Sequence, residues 1–343
     1  MSVAQEKTRL QRALISLEGL AMGDAFGRTF FSFSAGRYHH YYETRALPEA
    51  KEGSWSYTDD TQTALSLVET LRRFHAIDQD QLMASFVAHY EPGRAYGAGM
   101  HELLRTLREK SGPAEKNVEA TAEDEMKSVM PTNGPGAGTA GTVIPAWREL
   151  VAAQFTGEGS SGNGAAMRAA PLGAYFAGTP QRVVSQARLS ATVTHTHPEA
   201  VAGAIAVAMA AALAWQHRAR QQRPARSELI EHVLRFVPPG AVYDSLLQAS
   251  KLAPHTSAPD AASLLGSGYR ISAQDTVPFA LWCAGQFLDN YEEALWQTAS
   301  GLGDIDTTCA IVGGIVVLYT GMEGIPANWL QKREPLATWA LGQ

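Results

Sequence analysis

Apolar residues recur at the three-and-four spacing of an α-helix in one segment after another, and no stretch of the 343 residues alternates convincingly with the period of two that marks a half-buried strand. The helical segments read from this pattern include Leu10–Met22, Thr61–Phe74, Gln81–His89, Val201–Trp215, Val277–Leu288 and Thr307–Tyr319. Several starts are marked chemically. Asp59 and Asp60 stand before one helix, Pro198 and Glu199 open another, and Asp304 with Asp306 stand before a third. The pattern predicts an all-α bundle, and no repeat of fixed period points to a solenoid.

Hydrophobic types make up 45% of the chain and are spread along it, so one large core in a single domain spanning 1–343 is feasible. The formal charge of -6 gives no reason to expect a nucleic-acid or anionic-membrane partner. Any polyanionic ligand must therefore be held by a local site. Cys283 and Cys309 make neither a metal-ligand spacing nor a disulfide framework, which fits a reducing cytoplasm. The N-terminal MSVAQEKTRLQRAL lacks the uninterrupted apolar run of a signal peptide. The stretch Val201–Trp215 falls short of the roughly 18 residues a membrane span needs and is expected to be a buried helix. Residues 111–142 crowd Gly, Pro and Thr and read as a flexible surface excursion.

Four segments carry candidate chemistry. Thr58, Asp59 and Asp60 place two carboxylates and a hydroxyl at a helix start, and Asp304, Asp306 and Thr307 do the same near the other end of the chain. Each cluster alone reads as an ordinary helix cap favoured by the dipole. Two of them, each with more acid than capping needs, suggest a shared site of hard oxygen donors for Mg²⁺, Mn²⁺ or Ca²⁺, since such a group of acids would repel itself without cations. The loop Gly159–Arg168, with Ser160, Ser161, Gly162, Asn163, Gly164 and Met167, is built for close approach of backbone to a ligand. It has neither a Walker A ending nor the context of a dinucleotide-binding fold. Tyr96, Gly97, Ala98, Gly99 and Met100 form a second small-residue loop, which reads equally as a turn. His195 is a candidate phosphate or ribose contact, whereas His197 reads as part of the turn before Pro198.

The ordered series GLAMGDAFG, WSYTDDTQTAL, RAYGAGM, SSGNGAAMRAAPLG, THTHPEA and GDIDTTCAIVGGI resembles the ADP-ribosylglycohydrolase family, from about Gly19 to Gly314. The resemblance implies a compact, orthogonal helical bundle with a binuclear metal cleft holding two Mg²⁺ or Mn²⁺ ions. It implies Thr58, Asp59, Asp60, Asp304, Asp306 and Thr307 as metal ligands, and Gly97–Met100, Ser160–Gly164 and His195 as holders of the ADP-ribose diphosphate and ribose. It also implies hydrolysis of an ADP-ribosyl bond in a modified protein or small molecule, with an arginine linkage as first choice; the sequence leaves the oligomeric state open, with a monomer favoured. One departure stands out: family members often carry a Glu shortly after GDxxG, but here no carboxylate falls between Asp24 and Glu43. Three alternatives follow. Asp60, with Asp59 beside it, serves as catalytic base; Glu43 folds back into the site; or the chain binds ADP-ribose without turning it over. A metal-dependent phosphohydrolase is the remaining reading of the same acids.

Overall fold

A computed structural model describes residues 3–31, 33–49, 54–110 and 147–342; the 111–142 excursion lies outside the described residues. Among the described residues there are helices and two isolated bridges, with no strand, so the all-α expectation holds. Two helices form the spine: α1 (Val3–Phe30) and, far along the sequence, α15 (Ile305–Thr320), which is buried from Ile305 to Leu318.

The motif GLAMGDAFG explains why these two pair so closely. Gly19, Gly23 and Gly27 repeat every four residues, so they share one face of α1. Each faces α15: a side chain at Gly19 would meet Val317, one at Gly23 the Cys309 carbonyl, and one at Gly27 the Ile305 carbonyl. As numbers rise on α1 they fall on α15, so the helices run antiparallel, and the end of α1 lies against the start of α15. Glycine inside a helix costs about 1 kcal/mol against alanine, a cost offset here by backbone-to-backbone packing. Gly23→Ala should therefore force the helices apart and destabilise by about 1–3 kcal/mol. Urea denaturation would read this as a lower midpoint, and an unchanged midpoint would show that the helices are less tightly apposed than described.

Around this spine pack α3 (Asp59–Phe74), α7 (Ala170–Tyr175), α9 (Pro198–Ala219), α13 (Ala273–Gln286) and α14 (Tyr291–Ser300). The apolar stretch expected over Val201–Trp215 extends in both directions: α9 has 22 residues and a mean hydropathy of 1.6 in its most apolar window, long and apolar enough by composition to cross a membrane. Its covering is the rest of the protein, with 78% of that window buried. Alanine at Ala202, Ala204, Ala206, Ala208, Ala210 and Ala212 lets neighbours approach from several sides. At the other end of the core, Phe26 of α1 stacks on Trp329 with ring centroids 4.5 Å apart and meets Trp296 edge-on at 5.0 Å. The segment after Trp329 then pins the approach to α3. Trp55 donates its N–H to the Lys332 carbonyl at 2.6 Å, and Glu334 accepts from the Tyr57 N–H at 2.8 Å.

Candidate active site

Asp24 is fully buried on α1, one residue from a glycine that touches α15. Its carboxylate caps a different helix from its own. It accepts from the N–H and hydroxyl of Thr58 (2.9 Å each) and from the N–H and hydroxyl of Thr61 (3.1 and 2.6 Å). In this way Asp24 fixes the N-terminus of α3, satisfying donors that a helix start leaves open. Thr58 is the N-cap of α3, and Asp59 and Asp60 are its first helical residues. At α15 the N-cap is Asp304, and Asp306 and Thr307 lie in the first turn.

The two helix starts meet. Thr307 donates its hydroxyl to Asp60 Oδ2 at 3.3 Å across 247 positions of sequence, and the Thr58 hydroxyl lies 2.8 Å from the same oxygen. Asp304 is joined to the glycine-rich loop, for Asn163 donates Nδ2 to Asp304 Oδ2 at 2.6 Å. The loop has further anchors: Ala273 donates its N–H to the Ser161 carbonyl at 2.9 Å, and Arg168 Nη1 donates to the Gly164 carbonyl at 2.6 Å. His195 packs against it so tightly that a side chain at Gly164 would lie 2.8 Å from His195 Cε1. Burial and the nearby Arg168 guanidinium push His195 down to about 3, so its ring is neutral at ordinary pH. His197, as the sequence indicated, serves the turn, accepting from the Glu199 N–H on Nδ1 at 3.1 Å.

These elements enclose a cavity of about 420 Å³, in the size range of small-molecule sites. It brings together Asp59, Asp60, Asp304, Asp306 and Thr307 with Gly97, Ala98, Gly99, Met100, Ser160, Ser161, Gly162, Asn163, Gly164, Met167 and His195. Two predicted residues stand off it. Thr58 sits behind Asp60, and Tyr96 turns toward Tyr90, with ring centroids 5.2 Å apart. Glu43 lies on the surface of α2 (Ala35–Thr44) beside His39 at 3.0 Å, and does not line the cavity. The lining that sequence reasoning missed includes Arg28, Phe31, Gln154, Phe155, Arg270 and Ile271. Phe155 and Ile271 are each 60% exposed and hold left-handed φ of 51° and 53°. Such backbone costs a bulky residue about 1–3 kcal/mol and concentrates at functional sites. No motif marks these positions, because the strain is set by loops closing on the cavity.

The acids are held in an unfavourable state that suits cations. Desolvation first, and then mutual repulsion, raise Asp59 and Asp60 well above the carboxylate range; Asp24 rises to about 7 and Asp304 to about 8. Asp60 Oδ1 is buried with no hydrogen-bond partner. Among the described residues no three His, Cys, Asp or Glu are arranged as they stand to hold a metal ion, so a cation here would need hydroxyls and outside ligands beside the carboxylates. The donors are all oxygen, and an orphaned carboxylate oxygen among them fits Mg²⁺ or Mn²⁺. A pH consequence follows. Groups whose native pKa is raised stabilise the fold when protonated, so that contribution is full below their ordinary value near 4 and is lost as pH rises through about 7 and 8 for Asp24 and Asp304. In chelator, the thermal midpoint should fall between pH 5 and pH 8 on this account; with Mg²⁺ or Mn²⁺ the fall should shrink. Scanning calorimetry with and without chelator checks it, and superimposable curves would count against cation binding by these acids.

The ADP-ribosylglycohydrolase family profile matches residues 5–342, almost the whole chain. The chain belongs to the ADP-ribosylglycohydrolase family. As a member it is a hydrolase of ADP-ribosyl glycosidic bonds. Among proteins similar to this glycohydrolase are ADP-ribosylhydrolase ARH3 of Bos taurus, 28% identical over 83% of this chain and 76% of the relative. The human ARH3 is 28% identical over 81% of this chain and 74% of its own length. A solved structure described as an ADP-ribosylglycohydrolase-related protein complex superposes with a TM-score of 0.54 and 23% identity, covering 96% of this chain and 94% of the other, which supports the fold.

Proposed function

We propose that this glycohydrolase releases intact ADP-ribose from a modified protein or small molecule by water attack at the anomeric carbon, using the four aspartates and a pair of Mg²⁺ or Mn²⁺ ions. The observation that carries this reading is the meeting of Asp60 and Thr307 beside the Asn163–Asp304 contact, which places both acid clusters and the glycine-rich loop on one cavity. When bound, the ions would orient the ribose hydroxyls and make a water more acidic. Asp59, Asp60, Asp304, Asp306 and Thr307, which line the cavity, are the residues that would hold them, with Thr58 bracing Asp60 from behind.

The chain's own groups supply the remainder. The amides and small residues of Gly97–Met100 and Ser160–Gly164 cradle the diphosphate, while the neutral His195 packs beneath the loop and offers a ring nitrogen to the ribose. Exposed Phe155 and Ile271 give apolar faces for the adenine. As the bond to the acceptor breaks, positive charge grows on the ribose ring and the nearby carboxylates offset it. Asp60 takes the proton of the attacking water through its unpartnered Oδ1; the electron pair of the broken bond leaves with the acceptor, which picks up a proton from solvent. Glu43 is too remote for this task, being paired with His39 on α2. A binder without turnover is favoured by one observation, that the described cavity-lining acids are the four aspartates alone.

Mass spectrometry of the products from a panel of ADP-ribosylated acceptors separates the readings. The hydrolase reading expects intact ADP-ribose, lost on chelation. AMP with ribose-5-phosphate would instead identify a phosphohydrolase, and binding heat with no product would identify a binder.

A further inference from the structure

Between Gly266 and Ser272 the chain forms a loop that touches both halves of the cavity without supplying an acid to it. We propose that Asp275, which does not line the cavity, is the positioning residue that holds this loop, and through it Asp304 and Asn163, in the geometry that binds ADP-ribose. The inference rests on the hydrolase reading and adds a residue that belongs neither to the acid clusters nor to the glycine-rich loop.

Asp275 lies in the first turn of α13, where an acid is ordinarily credited to the helix dipole. Its carboxylate has a more specific partner. Oδ2 accepts from the Arg270 N–H at 2.7 Å, and the Asp275 carbonyl accepts from the Gly268 N–H at 2.8 Å, so one residue takes two donors of the loop. Gly266 and Gly268 hold left-handed φ of 92° and 83°, and a side chain at Gly266 would lie 2.4 Å from Asp275 Oδ1. Only bare backbone lets the loop close on this carboxylate.

The other side of the loop reaches the site. The Ser267 carbonyl accepts from the Asp304 N–H at 3.0 Å, and the Ile271 carbonyl accepts from the Asn163 N–H at 3.3 Å. Asn163 in turn divides its Nδ2 donors between Asp304 at 2.6 Å and the Thr276 hydroxyl at 3.1 Å. One end of the loop thus holds an acid and the other holds the glycine-rich loop, and Asp275 binds the amides between them. Ile271 keeps its φ of 53° next to the bond from Arg270 to Asp275. Without that acceptor Ile271 is free to relax toward ordinary backbone, which withdraws its carbonyl from Asn163. A shift of about 1 Å in a site of this kind costs on the order of a hundredfold in rate.

The test compares Asp275→Ala, Asp275→Asn and Asp275→Glu, with Asp244→Ala as the control, which removes a first-turn acid from α11 (Ala241–Lys251). ADP-ribose affinity is measured by calorimetry with Mn²⁺ present, and kcat and KM are measured on an ADP-ribosylated acceptor. Asparagine keeps an oxygen for the Arg270 N–H and drops the charge, whereas glutamate keeps the charge and moves the oxygen outward by a methylene. Asp275→Ala and Asp275→Glu should bind ADP-ribose about tenfold more weakly and lose roughly a hundredfold in kcat/KM, while Asp275→Asn stays within about threefold of the wild type. Asp244→Ala should match the wild type. A helix-dipole role reverses the order, with glutamate restoring function and asparagine failing like alanine, and that result overturns the proposal. So does unchanged ADP-ribose affinity in Asp275→Ala. If Asp275→Ala does not fold, the opposed behaviour of the asparagine and glutamate variants decides alone. If the wild type binds ADP-ribose but cleaves no acceptor, the hydrolase reading falls while the order of affinities still decides whether Asp275 positions the site.

Discussion

Asp60→Asn is expected to lower kcat by a thousandfold or more and, in the absence of divalent cations, to raise the stability of the protein. The two effects have one cause. Asp60 is 2% exposed, its carboxyl is raised well above the usual range by burial and by Asp24, Asp59, Asp306 and Asp304, and one oxygen has no partner. The fold favours the protonated carboxyl whereas the unfolded chain ionises it freely, so this group works against folding as pH rises above the ordinary carboxylate range. Asparagine keeps the shape and one oxygen to accept from Thr307, removing the charge and with it the base. A site that spends stability on function behaves in this way. Turnover assays and urea denaturation in chelator, run on the same preparation, check both halves. A variant that lost activity and stability together would indicate a structural role for Asp60.

Arg168→Lys is the second large effect: a loss of about 2–4 kcal/mol in folding stability and a fall of tenfold or more in affinity for ADP-ribose. Arg168 is fully buried, and burial lowers its guanidinium to about 9, so it remains charged at neutral pH. Its fork ties two parts of the cavity wall together. Nη1 donates to the Gly164 carbonyl at 2.6 Å, while Nη2 donates to the Ser190 carbonyl at 2.9 Å and the Thr194 hydroxyl at 2.8 Å. The guanidinium also rests over Phe86, 5.0 Å from the ring centroid. Lysine would keep the buried charge yet could not reach both the glycine-rich loop and the turn that carries His195. Arg168→Met, which removes the charge as well, should be less destabilising than Arg168→Lys, because an unpaired buried charge is worse than none. The opposite order in urea midpoints would mean that the charge, and not the fork, is what holds the loop.

Much of this arrangement was legible before the fold was known, because helix starts announce themselves chemically and the cavity acids sit at two of them. The segments Thr61–Phe74 and Thr307–Tyr319 showed helical spacing because one face of each, or every face, is apolar. Helices such as α8 (Pro180–Thr192), α10 (Arg226–Leu234) and α11 (Ala241–Lys251) were not distinguished, since each buries only a few residues, and polar positions interrupt the pattern. The ends of α1 were also short in the reading: Gly23, Asp24 and Gly27 look like a turn by composition, yet they lie inside a helix whose glycines are required by the backbone of α15. Asp24 illustrates the limit well. Its role as the cap of α3 depends on a contact across 34 positions and on the antiparallel approach of two helices, neither of which leaves a local signal. Arg28, Phe31, Phe155 and Ile271 were invisible for the same reason, since position alone makes an ordinary side chain part of a cavity wall.

A crystal grown with Mn²⁺ and ADP-ribose, with data collected at the manganese edge, tests the central claim most directly. The account predicts two anomalous peaks between the starts of α3 and α15, ligated by Asp60 and Asp306, with the diphosphate lying along Gly97–Met100 and Ser160–Gly164. Manganese bound elsewhere, or ADP-ribose seated in this cavity at full occupancy with no metal beside Asp60, would contradict it.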